Sequence, residues 1–192
     1  GSKAVVDLVK EWGGKEESTI WVYGNKVPAN LAGFALGPMT RAWDYGDLMA
    51  NPSHDCSASA HVTEYIIPAV FPIAERQRKV TGKELITAVA LGQDVLCRIQ
   101  ESMVMPSGNP QYCLSAIFGP TVSLTKLLKL DEEKTWNAMG LAYSQACGEM
   151  QGFVDGALSG RLNHGFIADA AIKAALLAQR GLTGPKETLQ GK

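Results

Sequence analysis

Ala4, Val5, Leu8, Val9 and Trp12 recur at the spacing of one helical face, and Gly13-Gly14 stops the run. From Ser18 to Tyr23 the chain turns β-branched and aromatic, and Gly24-Asn25 before Lys26-Val27 has the make-up of a hairpin turn. One small β-ribbon is therefore expected there. Pro28, suited to a first helical turn, leads into an alanine- and leucine-rich helix over 29–41. Between 42 and 60 no period is sustained: Asp44-Tyr45-Gly46-Asp47 and Asn51-Pro52-Ser53-His54-Asp55 are polar turn formers. This is the longest irregular stretch, and long loops in compact domains carry function more often than most segments.

Apolar residues resume at Tyr65 and predict a helix to about Lys79, kinked or delayed by Pro68 and Pro72. Thr81-Gly82-Lys83-Glu84 has the form of a capping box and opens a long helix over 81–101. Pro106, Gly108 and Pro110 mark a second loop, and the run from Cys113 to Leu128 reads as a helix with Gly119-Pro120 as an alternative start. Asp131 is placed to cap a helix over 132–147. Gly148 to His164 reads as a third, glycine-rich loop, and a final alanine-rich helix runs from Phe166 to Arg180 with Gly181 as its cap. The pattern predicts an all-α domain over 1–192, with about seven helices and one small β-ribbon. Small residues such as Ala168, Ala171 and Ala175 allow close helix approach.

Composition narrows the function. Of 192 residues, 18 are basic and 19 acidic, with no basic block, so neither nucleic acid nor an anionic membrane surface is an expected partner. The four cysteines, Cys56, Cys97, Cys113 and Cys147, form no CxxC pair and follow no signal peptide, which fits a reducing cytoplasm. The longest apolar stretches are about half a bilayer span and are broken by proline or lysine, so no membrane span is predicted.

His54 and His61 share the irregular stretch with Asp44, Asp47 and Asp55, and histidine beside carboxylates is equipment for moving protons near neutral pH. A polar loop also collects such residues without function. Neither HExxH nor a His/Cys pair at ligand spacing is present, so no metal is expected. Cys56 lacks a sequence sign of an activated thiol. Glycines at 148, 152, 156, 160 and 165 follow no strand, which disfavours a dinucleotide fingerprint. Arg161, close to His164, is suited to a bidentate hold on a carboxylate; the bland alternative is a solvated surface arginine.

Taken in order, these segments resemble the MmgE/PrpD family. The resemblance rests on Gly13-Gly14-Lys15-Glu16-Glu17-Ser18-Thr19, Val27-Pro28-Ala29, Asp44-Tyr45-Gly46-Asp47, and His61-Val62-Thr63 through Pro68. It continues through Thr81 to Glu84, Lys126 to Asp131, Arg161-Leu162-Asn163-His164-Gly165 and Gly181 to Pro185. Each motif alone is weak; their order and spacing are specific. The resemblance implies a cofactor-free site between a large helical domain and a smaller α/β domain, in a homodimer. It also implies that 1–192 is the helical domain, without the α/β domain and clipped at its N-terminus. Asp44 and His61 match the family's pattern as catalytic residues. The family's threonine is Leu48 here, its second histidine falls near Pro110, and its lysine falls at Gly160 beside Arg161.

The implied chemistry is proton removal next to a carboxylate of a small di- or tricarboxylic acid. The aci-carboxylate so formed needs fixed positive charge or hydrogen-bond donors. His61 would be the acid or base, Asp44 would orient it, and Arg161, His164 and Asp47 would bind substrate. A lyase of dehydratase or decarboxylase type is the first expectation. An epimerase of the same family and a non-catalytic association module are the alternatives. Asp44, His61 and Arg161 are expected to converge on one surface, and the chain by itself is expected to turn over little.

Overall fold

The computed structural model describes residues 1–49, 60–102, 115–148 and 151–189. Eight helices run through them in chain order: α1 (Ser2–Trp12), α2 (Ala29–Thr40), α3 (Thr63–Gln77), α4 (Gly82–Ser102), α5 (Phe118–Leu127), α6 (Glu132–Tyr143), α7 (Gln151–Val154) and α8 (Ser159–Gln179). The fold is thus mostly helical, as the periodicity predicts. The expected ribbon forms from β1 (Ser18–Thr19) and β2 (Lys26–Val27), paired antiparallel with Ser18 opposite Val27.

A second, equally short ribbon was not expected. β3 (Leu48–Met49) pairs antiparallel with β4 (Ala60–His61), Leu48 opposite His61, inside the stretch that shows no sequence period. Two residues a strand are too few for alternation to register. The final helix also begins at Ser159 rather than Phe166, and α7 lies within the supposed third loop, while α6 stops at Tyr143 rather than Cys147. His164 is therefore a helical residue and not a loop residue.

Local chemistry explains the well-predicted ends. Thr81 Oγ1 accepts from the Glu84 N–H at 3.2 Å while Glu84 accepts from the Thr81 N–H at 2.9 Å, a closed capping box. Asp131 caps α6 by accepting from the Lys134 N–H at 2.8 Å. In α3, Pro68 has no N–H for the Glu64 carbonyl, and the Thr40 hydroxyl, which donates to the Gly37 carbonyl at 2.8 Å, also lies 3.3 Å from the Glu64 carbonyl.

The core is one main cluster from α2 to α8, centred on Ile66, Ile73, Leu96, Leu124, Ile167 and Ile172, all fully buried. A satellite of Val6, Val9, Ile20, Val27, Ala32 and Ala35 lies under α1 and the first ribbon. The buried stripe of α1 is Val6 and Val9; Leu8 and Trp12 of the expected face are largely exposed. Helix α2 packs most extensively on α8, where Gly37 and Gly165 bring the two backbones into direct contact.

Candidate functional site

The site is built where the end of α2, the start of α3 and the first turns of α8 meet. Arg41 caps the C-terminus of α2, and two residues of turn later Asp44 sits in the left-handed region at φ 55, a conformation aspartate tolerates better than most residues. The second ribbon closes the following loop and returns the chain at His61, beside Asp44. Glu64 then falls in the first turn of α3, where the helix dipole favours a carboxylate. Arg161 and His164 come from α8.

These six side chains form one charge cluster. Arg41 pairs with Asp44, and its Nε lies 3.3 Å from Glu64 Oε2. Arg161 reaches Asp44 Oδ2 at 3.5 Å through one guanidinium nitrogen and donates to the Arg41 carbonyl at 2.6 Å through the other. His61 stands between the two carboxylates, with Nε2 4.0 Å from Asp44 and Nδ1 3.5 Å from Glu64. His164 Nε2 is 3.6 Å from the same Glu64 oxygen, and its ring stacks on Tyr65 with centroids 4.1 Å apart and planes 5° from parallel.

Burial grades the cluster from mouth to floor. The Asp44 and Arg161 side chains are about half exposed, at 50% and 41%, His61 is partly covered, and Glu64 and His164 are buried. Burial, with the Arg41 guanidinium next, lowers the proton affinity of His61 below that of a free imidazole. His164 is pushed down to about 3, by burial first and then by Arg41 and its neighbour His61. Burial raises the Glu64 carboxyl above the usual carboxylate range, with Arg41 opposing. Both imidazoles are thus neutral at pH 7, the state a proton-accepting base requires.

Asp44, His61 and Glu64 each bring one possible ligand atom to within 4.8 Å of the others, the one such trio among the described residues. Two guanidiniums lie against its carboxylates, so a divalent cation there would face fixed positive charge. The donor set suits an anion and a moving proton better. A separate cavity of about 690 Å³ is lined by four carboxylates, Asp131, Glu132, Glu133 and Glu187, against one cation, Lys186, and that net negative wall disfavours a carboxylate substrate.

Residues 1–192 match the MmgE/PrpD N-terminal domain along their whole length. The chain belongs to the MmgE/PrpD family. It is 27% identical over 176 residues to a cis-aconitate decarboxylase of Aspergillus terreus, covering 88% of this chain and 34% of that protein. Against the cis-aconitate decarboxylase-like protein oryM of Aspergillus oryzae it is 29% identical over 178 residues, covering 86% and 35%. Against the cis-aconitate decarboxylase of Homo sapiens it is 27% identical over 180 residues, covering 90% and 36%. The chain spans about a third of the length of these curated relatives.

Within this MmgE/PrpD domain, Asp44, His61 and Arg161 converge as a group. Asp47 does not join them. It accepts from the Thr63 N–H at 3.0 Å and from Gln93 Nε2 at 3.3 Å, holding the start of α3 against α4. His164 joins the cluster from below, 1% exposed and against Glu64, rather than at its mouth. Of the positions expected, from the sequence pattern, to differ from the family's, Leu48 is exposed on β3 and Gly160 is buried beneath the Phe153 ring. Pro110, like His54, Asp55 and Cys56, lies outside the described residues. Sequence reasoning missed Arg41 and Glu64. Both read as helix-end residues suited to the dipole, and only a buried position beside opposite charge sets them apart.

Proposed function

We propose that this chain is the helical, substrate-handling domain of a cofactor-independent lyase that moves a proton next to a carboxylate of a small di- or tricarboxylic acid. One observation supports the reading: a neutral, partly covered histidine, His61, stands within 4.0 Å of Asp44, against which two guanidiniums, Arg41 and Arg161, are set. A weak carbon acid yields its proton only where a base and compensating positive charge surround one substrate-sized space. His61 supplies the base. Arg161 and Arg41 supply charge for the aci-carboxylate, and Asp44 holds the two guanidiniums together until a substrate carboxylate competes for them.

In dehydration His61 takes the α-proton and, as imidazolium, gives it to the departing hydroxyl, which leaves as water. In decarboxylation carbon dioxide departs, and the carbanion left behind is protonated through His61, whose neutral imidazole first takes a proton on Nε2 from solvent. The relatives' printed activity makes cis-aconitate the first substrate to test, in a homodimer of the native protein. Deuterium incorporation in heavy water, followed by NMR, separates the outcomes. A lyase loses carbon dioxide or water, and an epimerase exchanges its α-proton and inverts with neither loss. No exchange and no loss across a panel of small di- and tricarboxylates would leave the association module. His61→Ala is expected to lower turnover by about 10²–10⁴-fold, the contribution of an oriented acid–base group.

A further inference from the structure

The buried end of the cluster carries an assignment that the mouth does not. Glu64 is 4% exposed, and a Cβ on Gly46 would overlap its carboxylate, so the loop lies directly over it. Its Oε2 has three nitrogen groups around it: Arg41 Nε at 3.3 Å, His61 Nδ1 at 3.5 Å and His164 Nε2 at 3.6 Å. Its backbone partner is the Gly46 N–H, but none of these three side chains meets hydrogen-bond geometry with it, so the buried carboxylate is aimed into the cluster with its side-chain bonds not yet made. Catalytic hydrogen bonds in a substrate-free site are often long and tighten when substrate binds.

We infer that Glu64, rather than Asp44, is the positioning residue that sets the tautomer of His61, holding the proton on Nδ1 and leaving the Nε2 lone pair directed to the mouth of the site. This rests on the reading of His61 as the acid–base group. Three comparisons between the two carboxylates favour Glu64. It is nearer the imidazole, at 3.5 Å against 4.0 Å; it is buried where Asp44 is half exposed; and Asp44 is already engaged by Arg41 and Arg161. A carboxylate in a low-dielectric position exerts the stronger hold on an imidazole N–H. Position on the fold agrees: Glu64 is fixed by a helix three residues from His61, whereas Asp44 comes from a turn.

Among the described residues, the charged and titratable groups around His61 are Arg41 at the end of α2, Asp44 from the turn, Asp47 acting at longer range, Glu64 on α3, and Arg161 and His164 on α8. Of the carboxylates among the described residues, Glu64 alone has an oxygen in an ion-pair contact with Nδ1, at 3.5 Å.

Long-range proton–nitrogen correlation spectra of the ¹⁵N-labelled full chain at pH 8 read the tautomer without any substrate. The expected native spectrum shows His61 with a protonated Nδ1 and a pyridine-like Nε2. Asp44→Asn leaves that pattern in place, Glu64→Gln shifts the population toward Nε2–H, and Glu64→Asp, which draws the charge back by one methylene, gives an intermediate. The last variant keeps the test open where Glu64→Gln does not fold. A native His61 carrying its proton on Nε2 overturns the assignment, as does a folded Glu64→Gln whose tautomer is unchanged, or an equal shift in Asp44→Asn. In the turnover assay with native protein, Glu64→Gln lowers kcat by about 10²–10⁴-fold with KM little changed, the pattern of lost base orientation. Absence of turnover in the native protein would count against the functional reading alone, since the tautomer stands or falls by the spectrum.

Discussion

His164 shows what burial does to a single residue. Its ring is enclosed by Tyr65, Glu64 and α8, and its proton affinity in the folded chain is pushed down to about 3 from an ordinary 6.5. Between those values the unfolded chain binds a proton that the folded chain does not. Stability contributed by this group is therefore complete above pH 6.5 and falls as pH drops through the window, by at most about 1.4 kcal/mol per unit. Glu64 acts with the opposite sign: its raised folded value makes the folded chain hold the extra proton above 4.5, which offsets part of the loss. Urea unfolding at pH 7 and pH 5 is expected to show a net loss on the order of 1 kcal/mol at the lower pH. His164→Asn should flatten that difference, and an unchanged slope in the variant would refute the assignment to His164.

Element packing turns on a crossing that the glycine pattern only hints at. A Cβ on Gly37 would collide with the backbone of Gly165, and a Cβ on Gly165 would collide with the Phe34 carbonyl. Pro38 lacks the N–H that would have bonded that carbonyl, so α8 closes over a point where α2 cannot bond itself. Gly160 reads as part of a glycine-rich loop that ends at His164, but it and Gly165 lie on α8 and permit close approach. Gly37→Ala is expected to destabilise by about 1–3 kcal/mol or more, because backbone cannot step aside as a side chain can. Gly82→Ala, where an added methyl meets nothing within 4 Å, should be neutral or stabilising by about 1 kcal/mol. Comparable losses in both variants, measured by thermal unfolding, would contradict the close-crossing argument. The crossing matters to the site because it sets Arg161 and His164 of α8 against Arg41 at the end of α2.

On the scale of the molecule, no helix among the described residues is long and apolar enough to cross a membrane. Large apolar side chains are exposed around the mouth of the cluster, notably Trp43 at 78%, Tyr45 at 92% and Leu48. Exposed apolar side chains beside a polar site are surface that a further protein surface can cover. The proposed homodimer is expected to appear in light scattering as twice the chain mass at micromolar concentration, and a clean monomer would argue against it.

Much of the helical frame was legible in the chain because caps and stops are local: Thr81 with Glu84, Asp131, Gly13 and Gly181 each act within a few residues. Asp44 and His61 were legible as a pair because a turn-rich polar stretch shows in composition, and the family resemblance passes through both. Arg41, Glu64 and the buried position of His164 were not, since a charged residue at a helix end looks the same whether it faces water or another charge. The second ribbon and the early start of α8 also came only with the fold. Two-residue strands carry no period, and the glycines of α8 acquire their meaning from the helix laid across them. The sequence determined which groups are available for proton chemistry; the tertiary structure decided which of them are desolvated together, and desolvation is what sets their proton affinities.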